Sequence, residues 1–385
     1  MSKSSTSNIP SQEDGGATIL EIGQQPDAWR EVAASVDRAA AAFLRDVVAR
    51  PDVRVVLTGA GSSAFAGTIA APALRRHLGR RVDAVATTDI VATPLDCLER
   101  EVPTLLVSFG RSGNSPESLA TTQLADEILD EVWHLILTCD RDGELGRAHQ
   151  DRPNSLVVYM PERTNDVGFA MTSSLTSMLL SCLLLLGPAK PDDVEVLARA
   201  AQHVVDMQAD IRALAQTKKQ RFVYLGSGPL EGLARESALK LLELTAGEVV
   251  TYFDSPLGFR HGPKSVLDAD TLVVVYLSTD PYTRRYDLDI VAELRAQLGQ
   301  DAVTVLGTEP VAAELGPAIV LPGLTGLDDA LVALPYLVFA QYVALFTSLE
   351  YRKTPDNPFP SGEVSRVVKG VTIHPLPTGR ATDRP

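Results

Sequence analysis

Leu57-Thr58-Gly59-Ala60-Gly61-Ser62-Ser63 reads as the point where a strand gives way to a helix, and a second version, Tyr224-Leu225-Gly226-Ser227-Gly228, follows 167 residues further on. An apolar run enters each turn, Val53 to Leu57 in one case and Arg221 to Leu225 in the other, and a helical pattern leaves it. That is the signature of a strand–turn–helix unit. The same shift of 167 places Thr104-Leu105-Leu106-Val107 on Thr271-Leu272-Val273-Val274. One duplicated unit accounts for both matches.

Further strand-like runs at Val132 to Leu137 and Ser155 to Tyr159 extend the first series, and Val249 to Phe253, Leu272 to Leu277 and Val303 to Leu306 the second. Strands alternating with helices predict an α/β fold in two copies, each a parallel sheet flanked by helices. A chain of 385 residues also exceeds what one core usually supports. The expected division is a disordered tail over 1–18, a helical segment over 19–50, a first unit over 51–195, a second over 196–350 and a C-terminal tail over 351–385. Pro191 to Lys219, with Ala, Val and Arg at helical spacing, is expected to connect the halves.

The net charge of −14 argues against a nucleic-acid or anionic-membrane partner, since such binding rests on Lys and Arg contacts. A phosphate would have to be held locally. Cys97, Cys139 and Cys182 lack CxxC spacing, so neither a disulfide framework nor a zinc ribbon is expected, and a reducing cytoplasm fits best. The Ser-rich start has no apolar stretch of the signal-peptide kind. Ser174 to Gly187, read as the longest apolar stretch, is shorter than the about 20 residues a membrane span needs and reads as a buried helix.

Two turns are candidates for that local grip. The turn carrying Ser62 and Ser63 sits where backbone N–H groups and a helix dipole attract an anion. It lacks the spaced glycine pattern of a dinucleotide site and the Lys of a P-loop, and an ordinary tight turn would look the same. Phe109-Gly110-Arg111-Ser112-Gly113-Asn114-Ser115-Pro116-Glu117-Ser118 is more specific: hydroxyls and amides at a helix start can wrap a phosphate monoester, though a solvated capping loop shares the composition. The second half has Thr279, Asp280, Pro281 and Tyr282 where the first has Ser112, Gly113, Asn114 and Ser115. If this loop is the phosphate cradle, only the first copy has it, and the second is free to supply other groups.

For chemistry, Glu236 to Glu243, ESALKLLE, reads as a helix with Ala238, Leu239, Leu241 and Leu242 inward. Glu236 and Lys240 read as a surface i,i+4 ion pair, and Glu243 as either a solvated residue or a base. His261, in Phe259-Arg260-His261-Gly262-Pro263-Lys264, lies in a turn and titrates near working pH, which makes it the acid/base candidate among the histidines. A loop histidine without a role is the alternative.

The stretches TGAGSSAF, TTDIV, SFGRSGNSPES, FDSPLGFRHGPKS and KGVTIHP together resemble the tandem sugar-isomerase (SIS) domain family. The likeness is to its galactosamine-6-phosphate deaminase/isomerase group, also called tagatose-6-phosphate ketose/aldose isomerases. The isomerase module of glucosamine-6-phosphate synthase is a more distant relative. The resemblance implies two flavodoxin-like SIS domains and a sugar-phosphate substrate, with Ser62, Ser63, Arg111, Ser112 and Ser115 on the phosphate. Gly110 stands where the family's phosphate loop often starts with serine. Phe169 and Met171, in the turn Gly168 to Thr172, line the sugar, Met171 replacing a small hydroxyl residue. Glu243 matches the proton-transfer glutamate. His261 matches the ring-opening histidine, preceded by Arg260 in place of lysine. Lys369 matches the C-terminal lysine that closes over the open-chain sugar, with Val368 beside it against the substrate.

In the relatives the histidine comes from the neighbouring subunit, which implies a homodimer with shared active sites. No metal or other cofactor is implied. A Ser-rich tail stands where the synthase carries its glutaminase domain, so ammonia release is the expected direction: Glu243 moves a proton from C2 to C1 of the opened amino sugar, and the ketimine hydrolyses. A plain ketose/aldose isomerase, a sugar-phosphate amine deglycase and a non-catalytic sugar-phosphate sensor remain open alternatives, as does the galacto or gluco configuration.

Overall fold

The computed structural model describes residues 10–35, 38–368 and 370–376. Strands β1 (Arg54–Thr58), β2 (Val82–Ala84), β3 (Thr104–Gly110), β4 (Val132–Thr138) and β5 (Ser155–Tyr159) form one parallel sheet in the order β2-β1-β3-β4-β5. Strands β6 (Arg221–Leu225), β7 (Val250–Asp254), β8 (Thr271–Tyr276), β9 (Val303–Gly307) and β10 (Ile319–Val320) form a second with the same order read from its other edge, β10-β9-β8-β6-β7. The duplication holds at the level of register. Arg54 pairs with Thr104 and Arg221 with Thr271, each pair related to the other by 167 residues. In both sheets the chain reverses direction of travel between the first strand and its third, the place where open α/β sheets bind ligands.

The helices that position the site are α1 (Gly16–Gly23), α2 (Gln25–Ser35), α3 (Ser62–Leu78), α4 (Pro116–Ile128), α5 (Ser173–Leu186), α6 (Pro191–Asp206), α7 (Pro229–Leu244), α8 (Pro281–Leu298) and α9 (Asp329–Glu350). The two copies share a core. One apolar cluster runs from Val55 and Leu105 through Leu179 of α5, Leu233 of α7 and Leu337 of α9 to Tyr224 and Val274. Helix α9 lies inside it and is buried from Asp329 to Ser348. It is apolar on every side because every side meets protein. Among the described residues it alone is long and apolar enough to cross a membrane, and that apolar stretch is wholly buried. The longest apolar helix is therefore α9 rather than the run from Ser174 to Gly187.

Two expected boundaries shift. Helix α1 begins inside the segment read as a tail, because Asp356 caps it from the far end of the chain: its carboxylate accepts Ala17 N–H at 2.8 Å, Thr18 N–H at 2.9 Å and Thr18 Oγ1 at 2.7 Å. The division at 195/196 falls within α6, whose buried face, Val194, Leu197, Ala201 and Val204, belongs to the shared core. The connecting segment is thus part of the packed structure.

Helices α3 and α7, the first of each copy, lie against one another. A Cβ on Gly232 of α7 would come within 3.0 Å of Ile69 N and 3.2 Å of Thr68 C on α3. Only glycine allows the two backbones so close. Helix propensity alone predicts that Gly232→Ala gains about 1 kcal/mol. Overpacking against backbone reverses the sign, and we expect a loss of about 1–3 kcal/mol in urea unfolding; a midpoint equal to or above wild type contradicts this close approach.

Candidate active site

The first anion turn follows β1. Gly59 leaves room for Ser63, since a Cβ there would sit 2.6 Å from Ser63 Cβ, and Ser62 and Ser63 open α3 as buried residues. Ser63 Oγ approaches Met171 Sδ at 3.8 Å. The second turn follows β3. Ser112 Oγ accepts Asn114 N–H at 3.3 Å, and Asn114 Oδ1 accepts Glu144 N–H at 2.9 Å. Ser115 caps α4, accepting Ser118 N–H at 3.3 Å. Both turns stand at the carboxyl ends of adjacent strands.

Arg111 is buried, and its guanidinium donates to Phe169 O at 3.5 Å and Arg366 O at 3.1 Å. Burial and the nearby Arg366 hold its pKa below the usual arginine value. It braces the turn from Gly168 to Thr172 against the C-terminal segment.

That turn is fastened by acids absent from the sequence reading. Asp166 accepts Thr172 N–H at 2.7 Å, Ser174 N–H at 2.9 Å and the hydroxyls of Ser173 and Ser174, each at 2.5 Å, so it caps α5. Glu21 of α1 accepts Val167 N–H at 2.5 Å and Gly168 N–H at 3.1 Å. Burial and Asp166 push the Glu21 carboxyl up to about 7 against those N–H donors. Phe169 meets Phe359 with ring centroids 5.4 Å apart. Met171 and Phe169 are half-buried, and Val368 is exposed. Lys369 lies outside the described residues.

The second copy contributes a row on α7. Glu236, Lys240 and Glu243 follow at intervals of four and three and share a face. Glu236 and Lys240 are buried and Glu243 is one quarter exposed. This corrects the expected surface ion pair: α7 lies on α3 through Gly232, so this polar face is enclosed while Leu242, counted inward by periodicity, is exposed. Lys240 Nζ is 3.7 Å from Glu236 Oε1 and bonds directly to Glu243 Oε2. Burial pulls the Lys240 amine down, but Glu243 and Glu236 outweigh it and hold the amine above its ordinary value. Burial pushes the Glu236 carboxyl up to about 7, with Lys240 opposing, Glu243 adding and the Ser62 hydroxyl opposing. The influence of Ser62 on Glu236 and of Arg111 on Lys240 puts the row beside both anion turns. A cation clamped by two carboxylates beside an anion cradle can orient a proton-accepting carboxylate while keeping local charge balanced.

His261 is exposed, at the end of the turn Gly258–Arg260. Its neighbours Arg260 and Lys264 both pair with Glu293. Among the described residues no hydrogen bond or ion pair joins His261 to the α7 row within one chain, and no group of three or more His, Cys, Asp or Glu is arranged to hold a metal.

The SIS domain model matches residues 49–187. The D-galactosamine-6-phosphate deaminase AgaS of Escherichia coli is 46% identical over 94% of this chain and 96% of its own length. The protein of the same name from a Shewanella species is 42% identical over 93% and 92%. A crystal structure of tagatose-6-phosphate ketose/aldose isomerase from Escherichia coli superposes with a TM-score of 0.88 at 42% identity, covering 96% of this chain and 99% of that one.

Removing the cation strands two carboxylates on one enclosed face. Lys240→Met should cost about 3–5 kcal/mol in urea unfolding, and adding Glu236→Gln should recover part of it. Equal losses in the single and double variants contradict the pairing.

Proposed function

Because the chain belongs to the SIS-domain family, among the AgaS proteins, we propose that it is a deaminating aldose–ketose isomerase that converts galactosamine-6-phosphate and water to tagatose-6-phosphate and ammonia. The observation that carries this reading is the α7 row. A partly exposed carboxylate, Glu243, is held by a buried lysine beside turns whose hydroxyls and helix starts suit a phosphate monoester.

The phosphate sits on Ser112 and Ser115, with Ser62 and Ser63 at the neighbouring helix start. His261 of the partner subunit assists ring opening, moving a proton between O5 and O1; its exposure on the chain surface suits delivery to a second copy in a homodimer. Glu243 then takes the proton from C2 of the open-chain sugar, leaving an enolamine. The same carboxylate returns the proton to C1, so that C2 becomes an imine. Water adds at C2, and the C–N bond breaks to release ammonia and the ketose phosphate. Lys240 keeps Glu243 oriented through both transfers, and anchoring of the phosphate supplies the alignment that makes them effectively intramolecular. Lys369 and Val368 close over the open chain, while Phe169 and Met171 line the sugar. The free cysteines, two of them buried, suit a reducing cytoplasm.

Purified protein given galactosamine-6-phosphate should release ammonia and ketose phosphate in equal amounts, and faster than from glucosamine-6-phosphate; turnover without ammonia contradicts the deaminase reading. Glu243→Gln should lower kcat by about 10²–10⁴-fold, the usual worth of a general base, with sugar-phosphate affinity retained; unchanged ammonia release removes Glu243 from the reaction. The double variant Ser112→Ala, Ser115→Ala should raise KM with little change in kcat. A KM equal to wild type places the phosphate elsewhere.

A further inference from the structure

The second copy carries the same two turns at the carboxyl ends of β6 and β8, yet their donors already hold anions. Ser227 follows β6 at the position of Ala60, and Ser278-Thr279 follow β8 at the positions of Arg111-Ser112. Asp287 of α8 is fully buried and accepts Ser227 Oγ at 2.7 Å and Ser278 N–H at 2.9 Å. Asp329, the first residue of α9, accepts Ser278 Oγ at 2.5 Å, Thr279 N–H at 2.7 Å and Thr279 Oγ1 at 2.8 Å. Hydroxyls and two amides at a helix start converging on oxygen anions are the arrangement that holds a phosphate monoester. Burial pushes the Asp287 carboxyl up to about 6, which leaves it ionised at pH 7.

A cleft of about 1040 Å³ opens above these turns, lined among others by Ser227, Gly228, Thr279, Asp280 and Asp329. Two of the cationic groups that line it, Arg76 and Arg284, are engaged by the protein itself, and Lys190 lines it as well. Arg76 pairs with Asp328 at 2.7 Å, and Arg284 donates to Ser278 O at 3.4 Å and Glu309 O at 3.2 Å. In the first copy α5, the counterpart of α9, opens with Ser173-Ser174. Among the described residues no carboxylate accepts from Ser112 or Ser115.

We propose that Asp287 and Asp329 are built-in anions that fill the phosphate cradle of the second copy, so that each chain offers one sugar-phosphate site and the cleft over β6 and β8 rejects phosphate esters. This rests on the reading of the first copy's turns as a phosphate cradle. The carboxylates also fasten α8 and the central helix α9 to the second sheet, so the duplicated turn serves as a structural clamp.

The test counts inorganic phosphate sites on the full chain by equilibrium dialysis. Wild type should bind one phosphate per chain and Asp329→Ala two. Should the alanine variant prove too unstable, Asp329→Ser, which removes the charge and shortens the side chain so that the donors of Ser278 and Thr279 are vacated, should gain a phosphate-dependent rise in Tm beyond that of wild type. Ser112→Ala with Ser115→Ala should abolish binding to wild type and leave one site in the Asp329→Ala background. Wild-type binding that survives the serine changes defeats the first-cradle reading alone, because the gain at Asp329 is still counted separately. Two sites in wild type, or Asp329 variants that keep the wild-type stoichiometry and Tm shift, overturn the proposal.

Discussion

The close contact of α3 with α7 is the constraint on which the rest depends. Gly232 lets the α7 backbone approach Ile69 and Thr68 of α3, and the side chains about one, two and three turns further on, Glu236, Lys240 and Glu243, come to lie beside the turn that opens α3. A loose contact between the copies would leave that row in water, where an i,i+4 pair is worth only a few tenths of a kcal/mol. Enclosed, the same three residues become a coupled unit, since removal of either sign leaves an uncompensated charge in a medium that screens it poorly.

That enclosure has a cost in solvation, and its form explains why the row carries two carboxylates rather than one. Lys240 is buried and stays charged because acids flank it on both sides. Glu236, the deeper of the two, is pushed up to about 7, while Glu243 keeps an opening to solvent. Glu21, Asp166 and Asp356 fasten the turn from 166 to 172 and the start of α1, so residues near both ends of the chain meet at one place. Among the described residues no carboxylate accepts from Ser112 or Ser115 of the first copy, while Ser227, Ser278 and Thr279 of the second hold Asp287 and Asp329. An ancestral symmetry survives in strand register and is broken in side-chain chemistry.

Much of this was legible in the sequence. The shift of 167 between the two Gly-x-Gly turns is reproduced residue for residue in the pairing of Arg54 with Thr104 and Arg221 with Thr271, because a βα turn needs small residues at fixed offsets from a strand end. The missed strands β2 and β10 have three and two residues and lie at or near sheet edges, too short to show a period. Periodicity misjudged α7 because it scores apolar residues only. The helix has two buried faces, and one of them is polar, so Glu236 and Lys240 read as surface. Asp166 and Asp356 carry no local signal: each acts as a cap, and Asp356 caps a helix more than 330 residues away. His261 is exposed, and a histidine in a surface turn carries no periodic signal from which a partner could be read.

The most direct test of the α3–α7 site is a crystal structure of Glu243→Gln soaked with galactosamine-6-phosphate. The expected result is phosphate on the turn bearing Ser112 and Ser115, with C2 of the sugar about 3–3.5 Å from the side chain at position 243, the separation of a near-attack geometry. Phosphate bound instead over β6 and β8, or a sugar whose C2 faces away from α7, would contradict it.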